Sequence, residues 1–309
     1  MSSYLVSGAS RGLGFEFLRQ LSENPANTVI GLVRNKEETE AKAAAELHRS
    51  NIHIIHGDLT DYESLKKAAE DTAKITGGGL DYLIGNAGIV TQWARFDSID
   101  VLGEDIVNFE QELLNQFKVN VIGNIHLFNL FTPLILKGRA KKVIAISSGL
   151  ADIESTSKFN LDHSAPYSIG KAGLNAAVAK FSARFAKDGV LFMSICPGAV
   201  NTGHNSNLPE EEVPRAMAIF GKFKEYESSF TGEMLRTATV VHLFLTWEIS
   251  AGFEATDPLI IHTERKYVNE NIREIGIAIN DWEIWIPNSL ESIVICHTAE
   301  PWEAGPLAV

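Results

Sequence analysis

The sequence has few of the residues that several classes of protein require. Two of its 309 residues are cysteine, Cys196 and Cys296, which excludes a disulfide scaffold or a cysteine-rich metal site and indicates a reducing compartment. Lysine and arginine total 27 against 39 acidic residues, a formal charge of −12 that disfavours nucleic-acid binding. The 24 glycines and 10 prolines are too few for a fibrous or low-complexity chain.

Long apolar segments are also lacking. Residues 1–10 have neither the basic region nor the long apolar region of a signal peptide. The longest apolar candidate, residues 119–136, is interrupted by three asparagines and a histidine, so it is too polar to span a bilayer. We therefore expect a cytoplasmic protein with no membrane partner. Hydrophobic residues still make up 45% of the chain, enough for a sizeable core.

Short apolar runs alternate with helical patterns along most of the chain. The predicted strands are residues 4–6, 28–33, 52–56, 80–84, 143–147, 190–195 and 258–262. The predicted helices are residues 15–21, 41–47, 62–72, 108–136, 167–186 and 233–247. Such alternation predicts right-handed crossovers between parallel strands. We therefore predict an α/β fold over residues 1–262, a Rossmann-type doubly wound parallel sheet of about seven strands with helices on both faces.

Residues 263–309 form a carboxyl-terminal extension of unknown role. Apolar residues alternate in 282–286 and again in 293–295, and the residues 287–289 between them are typical of a turn. This pattern predicts a β-hairpin, and a disordered tail is the alternative.

A glycine-rich turn, Ser7 to Gly14 (SGASRGLG), lies between the first strand and the first helix. Glycines let the backbone approach a pyrophosphate closely, and the start of the helix offers free N–H groups to the anion. Because a strand precedes the turn and a helix follows it, we expect dinucleotide binding there. The alternative is a tight turn without a ligand.

The end of the second strand bears on the choice of dinucleotide. A carboxylate at this point selects NAD(H) by binding the ribose hydroxyls. This chain has Arg34 and Asn35 instead, and a guanidinium can bind a 2′-phosphate. Arg11 in the glycine turn is a second cation on the same side. The pair favours NADP(H), although each arginine alone is typical of a solvated surface.

A tyrosine and a lysine are spaced to act together. Tyr167 and Lys171 lie four residues apart on a predicted helix and therefore share a face. An ammonium group lowers the pKa of a neighbouring phenol, which suits the pair to proton exchange with a carbonyl or alcohol oxygen. Ser148 follows the fifth strand at the edge where ligands of such sheets bind. Asn120 lies within a long apolar helix, where a buried amide must find partners.

Together these motifs resemble the short-chain dehydrogenase/reductase family. The resemblance covers roughly residues 3–205, and within the family it is closest to fungal-type and sniffer-like carbonyl reductases and ketoreductases. It is carried, in order, by SGASRGLG at 7–14, GNAG at 85–88, Asn120, Ser148 with YSIGK at 167–171, and PGAVNT at 197–202.

The resemblance implies a role for each matching residue. Tyr167 would be the general acid and base, and Lys171 would lower its pKa and bind the nicotinamide ribose. Ser148 would polarise the substrate carbonyl, and Asn120 would hold a water of a proton relay. Together with Tyr167 and Lys171, the residues implied to bind the cofactor NADP(H) are Gly8, Ser10, Arg11, Gly12, Leu13, Gly14, Arg34, Asn35, Asp58, Leu59, Asn86, Ala87, Gly88, Pro197, Gly198, Val200 and Thr202.

The chain departs from the family pattern near the catalytic residues. Ser148 and Tyr167 are 19 residues apart, about six more than usual, so the segment from Asp152 to His163 is predicted to loop out beside the substrate site. Ser147 is an alternative partner for the carbonyl. Residues 254–262 also lack the usual pair of glycines after the last strand.

The motifs predict NADPH-dependent reduction of a ketone or aldehyde. The alternatives are a redox-neutral isomerase or cyclase on the same fold and a non-enzymatic regulator that senses NADP(H). The nine histidines show no paired ligand motif, so we expect no metal site. The resemblance favours a homodimer or homotetramer. Four aromatic residues favour a bulky apolar or aromatic substrate, although packing in the core would explain them as well. They are Phe220, Phe223, Tyr226 and Phe230.

Overall fold

The structure, a computed structural model, describes residues 1–197, 209–219, 222, 259–260, 277–279 and 282–284. Its strands are β1 (Ser3–Ser7), β2 (Thr28–Val33), β3 (Ile52–His56), β4 (Tyr82–Gly85), β5 (Lys142–Ile146), β6 (Leu191–Ile195), β7 (Leu259–Ile260), β8 (Ile277–Ile279) and β9 (Trp282–Ile284). Its α-helices are α1 (Gly12–Leu21), α2 (Lys36–Glu46), α3 (Tyr62–Thr76), α4 (Ile99–Leu102), α5 (Ile106–Gln116), α6 (Asn124–Ile135), α7 (Ile153–Lys158) and α8 (Ala165–Phe185). Shorter helical pieces are the π-helical segment Phe117–Gly123 and 3₁₀ turns at Gly149–Ala151, Ala186–Asp188 and Glu210–Glu212. Residues 213–219 are also helical.

Seven strands of the described chain form one sheet in the order β3-β2-β1-β4-β5-β6-β7, and all of their pairings are parallel. This confirms the predicted Rossmann-type α/β fold. The chain builds one half of the sheet outward from β1 and then crosses to β4 to build the other half. Ligands of such sheets bind at this crossing, beside the carboxyl ends of β1 and β4.

Apolar clusters cover both faces of the sheet. On one face α1 packs Phe17 and Leu18 against the sheet, whereas on the other face α6 packs Phe128 and Phe131. Each of these four side chains is at most 1% exposed. Helices therefore bury both faces of the sheet, so a ligand can reach the sheet only at the ends of its strands.

The amino-terminal edge of the sheet is held together by the carboxylate of Asp81, which is 6% exposed. Its Oδ2 accepts hydrogen bonds from the backbone N–H and hydroxyl of Ser3, at 2.9 and 3.2 Å. Its Oδ1 accepts from the backbone N–H groups of Arg139 and Ala140, at 2.7 and 3.4 Å. One side chain thus joins the starts of β1, β4 and β5.

The helical region predicted over 108–136 is helical but not continuous α-helix. It consists of α5, the π-helical segment and α6. A π-helical turn contains an extra residue, which short-range sequence periodicity does not reveal.

Towards the carboxyl terminus, the predicted strand 258–262 corresponds to β7, and the predicted helix 233–247 lies outside the described residues. β9, which lies within the predicted strand 282–286, pairs antiparallel with the preceding β8, and the predicted partner 293–295 lies outside the described residues. Within the part of the chain that the structure describes, no helix has the length and apolarity needed to cross a membrane.

Candidate active site

The predicted site residues of the described chain follow successive strands at the carboxyl edge of the sheet. The glycine turn follows β1, Arg34 follows β2, Asn86 follows β4, Ser148 follows β5 and Pro197 follows β6. Because all of these strands are parallel, their carboxyl ends meet at the same edge. The fold therefore brings together residues that are far apart in the sequence.

The glycine turn is closely packed against its neighbours. Gly8 and Gly12 have positive φ angles of 68° and 55°, which residues with a Cβ rarely adopt. A Cβ on Gly14 would lie 2.2 Å from the carbonyl oxygen of Gly8. Asn86 Nδ2 donates to the carbonyl oxygens of Ser7 and Gly8, at 2.9 and 3.2 Å, and so joins the turn to the end of β4.

The start of α1 suits the pyrophosphate of a dinucleotide. Among the described residues, no side chain caps α1 by a hydrogen bond, and its first turn contains no acidic residue. By contrast, α2 and α3 are capped by the side chains of Asn35 and Asp61. Uncapped N–H groups and the positive end of the helix dipole favour an anion at this position. The exposed Ser10 and Arg11 and the half-buried Leu13 complete the turn.

A cation contacts the outer side of this turn, and a charged pair follows the neighbouring strands β2 and β3. Lys42 of α2 donates from Nζ to the carbonyl oxygen of Ser10 at 3.4 Å, and this Nζ lies 4.1 Å from the centre of the Phe15 ring. Burial opposes ionisation of Asp58, but hydrogen bonds from Thr60 and the charge of Arg34 outweigh it, so the pKa of Asp58 lies below its ordinary value. Lys42 is therefore a third cation of this region, in addition to the predicted Arg11 and Arg34.

The two serines after β5 have different partners. Ser147 is buried and donates from Oγ to Asn175 Oδ1 at 2.7 Å. Ser148 is half-buried, its Oγ accepts from the Leu150 N–H at 3.2 Å, and its interaction with Tyr167 acts to lower the pKa of that tyrosine. The arrangement favours Ser148 over Ser147 as the hydroxyl that shares a carbonyl oxygen with Tyr167.

Lys171 is buried, and Tyr167 is partly buried. Burial raises the pKa of Tyr167 to about 12, and its interaction with Ser148 opposes this rise. The direction is opposite to the lowering expected from Lys171, because burial disfavours a phenolate and Lys171 donates from Nζ to the Ile146 carbonyl oxygen at 2.7 Å. Burial also lowers the pKa of Lys171 to about 8.

Asn120 lies in the π-helical segment and is fully buried. Its Oδ1 accepts from the Ile89 N–H at 2.9 Å, and its Nδ2 donates to the Ile89 carbonyl oxygen at 3.0 Å. A Cβ on Gly88 would lie 2.8 Å from Asn120 Oδ1 and 3.2 Å from Lys171 Nζ. Asn120 and Lys171 therefore face the same short segment after β4.

Comparison with known proteins agrees with this geometry. A family model described as short chain dehydrogenase matches residues 3–213. The chain belongs to the short-chain dehydrogenase/reductase family. It is therefore an oxidoreductase, and the fit of the glycine turn to a pyrophosphate agrees with use of a nicotinamide dinucleotide.

Similar members of the family come from fungi and animals. Short chain dehydrogenase virK of Hypocrea virens is 52% identical over 256 residues, which cover 82% of this chain and 94% of that protein. Short-chain dehydrogenase/reductase iacC of Pestalotiopsis fici is 48% identical, over 80% of this chain and 92% of that protein. Among solved structures, the carbonyl reductase Sniffer of D. melanogaster matches with a TM-score of 0.57 and 28% identity, over 65% of this chain and 82% of that chain. An NADPH-bound carbonyl reductase from chicken fatty liver matches with a TM-score of 0.57 and 27% identity, over 68% and 84% of the two chains.

The structure also describes three further residues that the family resemblance implied to bind the cofactor. Leu59 is buried in the core and Ala87 is half-buried, and the Ala87 N–H donates to Ser7 Oγ at 3.0 Å. Pro197 is half-buried after β6. Outside the described residues lie Gly198, Val200, Thr202, Phe220, Phe223, Tyr226 and Phe230.

The described residues also contain site features that sequence reasoning missed. Lys42, Glu112 and Gln116 were not predicted, although polar residues at 112, 116 and 120 recur every fourth position and so share one face of a helix. Within the described part of the chain, no group of three or more histidine, cysteine or acidic side chains is arranged to hold a metal ion.

Proposed function

We propose that the protein is an NADPH-dependent reductase that converts the carbonyl group of a ketone or aldehyde to an alcohol. The observation that carries the proposal is the grouping of Ser148, Tyr167 and Lys171 at the same sheet edge as the glycine turn. Ser148 follows β5, and Lys171 Nζ donates to the Ile146 carbonyl oxygen at the end of that strand, at 2.7 Å. Lys171 Nζ is 5.9 Å from the centre of the Tyr167 ring. The cofactor, when bound, supplies the hydride for the carbonyl carbon.

Tyr167 is the proton donor in this proposal. Because its pKa is raised to about 12, the phenol keeps its proton at neutral pH, as reduction requires. Ser148 and Tyr167 both donate hydrogen bonds to the substrate oxygen and hold it while the negative charge develops. The ammonium group of Lys171 then stabilises the phenolate that proton donation leaves behind.

The preference for NADPH is supported by charge. Arg11 lies in the glycine turn, Arg34 follows β2, whose Leu32 carbonyl oxygen accepts from the Gly8 N–H, and Lys42 reaches the turn from α2. A 2′-phosphate on the adenosine ribose would meet these cations, whereas NADH offers them no second charged group. The carbonyl reductase from chicken fatty liver, which resembles this chain, was solved with NADPH bound.

An apolar surface beside Tyr167 suits an apolar or aromatic substrate. Leu150 and Leu161 are buried and pack with the partly buried Phe159 and Tyr167. These side chains flank the hydroxyl pair on the side of the segment inserted between the two catalytic positions. We also propose that the protein acts in the cytoplasm as a homodimer or homotetramer, with a small carbonyl compound or alcohol as its partner and neither nucleic acid nor membrane.

The test is NADPH consumption, monitored at 340 nm, with a panel of ketones, quinones and aromatic carbonyl compounds. Tyr167→Phe removes one oxygen and keeps the ring, so it should lower kcat by about 10²–10⁴-fold while the Kd of NADPH stays close to that of the wild type. A variant that keeps most of its turnover would contradict the acid role. Conversion of a substrate without net NADPH consumption by the wild type would favour a redox-neutral reaction.

A further inference from the structure

Three buried polar side chains lie in a row behind Asn120. Glu112, Gln116 and Asn120 are 9%, 1% and 0% exposed and are spaced four residues apart along α5 and the π-helical segment. Gln116 Nε2 donates to Glu112 Oε1 at 2.7 Å, and Asn120 Nδ2 donates to Gln116 Oε1 at 2.6 Å. We refer to these three side chains as the polar ladder.

The chemistry of its members gives the polar ladder one direction. Glu112 Oε1 already accepts from Thr91 Oγ1, and Gln116 turns its NH₂ group towards the same oxygen. The carbonyl oxygen of Gln116 then faces Asn120, which must present its own NH₂ group. This leaves Asn120 Oδ1 free to accept from Ile89, as it does at 2.9 Å.

The polar ladder is attached at both ends to the segment that follows β4. Asn120 pairs with both backbone groups of Ile89, and Thr91 donates from Oγ1 to Glu112 Oε1 at 2.5 Å. Gly88, one residue before Ile89, lies against Lys171 Nζ. The segment 88–91 is thus fixed to the helix at two points, immediately beside the catalytic lysine.

We propose that Glu112 and Gln116 are positioning residues, which hold segment 88–91 and the Asn120 amide in the geometry that Lys171 and Tyr167 require. The inference rests on the proposed reductase function for its effect on catalysis, while its structural part stands on the hydrogen bonds alone. Neither residue lies against the substrate carbonyl. Their effect therefore passes through Asn120 and the segment, and the acceptor oxygen of residue 112 matters rather than its charge.

Two substitutions separate these effects. Glu112→Gln keeps an oxygen that can accept from both Thr91 and Gln116, whereas Glu112→Met has a similar length and accepts neither bond. Glu110 is exposed on the same helix, so Glu110→Met is the matched control. We expect Glu112→Met to lower kcat by about tenfold, because small displacements of catalytic groups are costly, with KM for the carbonyl substrate nearly unchanged. Glu112→Gln and Glu110→Met should stay within about twofold of the wild type.

Hydrogen–deuterium exchange supplies a readout that is independent of activity. In Glu112→Met the Ile89 amide should exchange about tenfold faster than in the wild type, since its acceptor Asn120 is no longer held. Thr91→Val, which removes one hydroxyl and keeps the shape, should have the same effect on exchange to a smaller extent. It serves as the test if Glu112→Met does not fold.

The outcomes distinguish the two proposals. Faster exchange in Glu112→Met, with Glu112→Gln like the wild type, supports the positioning role even if the wild type reduces no carbonyl compound, which would overturn only the proposed function. Unchanged exchange at Ile89 in Glu112→Met overturns the positioning role. Equal damage by Glu112→Gln also overturns it, because the charge of Glu112 would then be what matters.

Discussion

Two cations near the glycine turn come from different elements, and they do not contribute equally. Arg34 is an exposed guanidinium at the end of β2, and its charge acts on Asp58. Lys42 is partly held already by the carbonyl oxygen of Ser10 and the ring of Phe15. Arg34 can pair with a phosphate through two donors at once, whereas Lys42 offers a single charge.

Arg34→Ala should weaken NADPH binding by roughly 1.5–3 kcal/mol, about tenfold or more, because a charge-assisted hydrogen bond to the 2′-phosphate is lost. Lys42→Ala should cost about 0.5–1 kcal/mol, as expected for an exposed ion pair. Binding of NADH should hardly change in either variant, and Lys66→Ala on α3 is the control. Fluorescence titration of both cofactors checks this, and an equal loss for NADH would refute the assignment of Arg34.

The pKa of Lys171 predicts how reduction depends on pH. Burial lowers this pKa to about 8, so the ammonium group is mostly protonated at pH 7 and mostly neutral at pH 9. A neutral amine cannot stabilise the phenolate of Tyr167. We expect kcat/KM for the carbonyl substrate to fall by about tenfold between pH 7 and pH 9, following the protonated fraction of Lys171. A profile that is flat over this range, at saturating NADPH, would exclude the proposed role of the ammonium.

Single residues show where sequence reasoning reaches its limit. The glycine turn and the spacing of Tyr167 and Lys171 are local patterns, and the structure places both at the predicted sheet edge. The choice between Ser147 and Ser148 needed the side chain of Asn175, which comes from a different element. Lys42 likewise meets Ser10 across 32 positions in the sequence. Such contacts depend on how the elements pack, which no short pattern encodes.

At the scale of elements, the segment inserted before Tyr167 is more ordered than its loop-like composition predicts. Asp152 accepts a hydrogen bond from the N–H of Ser155 at 2.6 Å and begins α7. Lys222 Nζ donates to Asp162 Oδ1 at 2.6 Å, which joins the segment to the chain after β6. The insertion thus packs against Tyr167 and is also bonded to the chain that follows β6.

Removing the six residues of α7 should change substrate choice and leave the cofactor site intact. The segment packs Leu161 and Phe159 near Tyr167 after β5, whereas the glycine turn follows β1. We expect altered relative activities across the carbonyl panel, while the Kd of NADPH stays within about twofold, because loops on a rigid scaffold commonly set specificity. An unchanged activity profile would show that the segment is a passive part of the surface.

Strands were predictable from sequence to within a few residues because fully buried β-rich runs are short and bounded by turns. The predicted limits of β2 and β3 match the structure. Helix starts were less accurate, since α2 begins at Lys36, five residues before the predicted start. Its first turn is rich in glutamate and carries little apolar signal, and the side-chain cap from Asn35 fixes where it begins.

On the scale of the whole molecule, the two edges of the sheet have separate tasks. The proposed chemistry takes place at the carboxyl ends of the strands, whereas Asp81 holds the amino ends of β1, β4 and β5 together. The four residues of β4 lie between Asp81 and Asn86, which are therefore about 17 Å apart along an extended strand. Substitutions at the amino edge should therefore affect stability without affecting the reaction.

Asp81→Asn tests this separation. An amide offers one acceptor oxygen where the carboxylate offers two, so some N–H groups of Ser3, Arg139 and Ala140 would lose their partner. We expect a loss of about 1–3 kcal/mol in the free energy of unfolding, the cost of buried unpaired groups, with kcat and KM near wild-type values. Urea unfolding measures the loss, and Glu104→Gln at an exposed position is the control. A large fall in kcat at unchanged stability would show that the two edges are coupled.

The π-helical segment makes the length of the chain critical at one place. The π-helical turn already takes up one extra residue, and each residue of an α-helix turns the chain by about 100°, so inserting one more residue between 117 and 123 would rotate α5 against α6 by about that angle. Either Asn120 would leave Ile89, or Phe128 and Phe131 would leave the sheet. Substitutions at the exposed Ile122 should be tolerated, but insertion of an alanine after it should not, and comparing the folded yield of these two variants would reveal the difference.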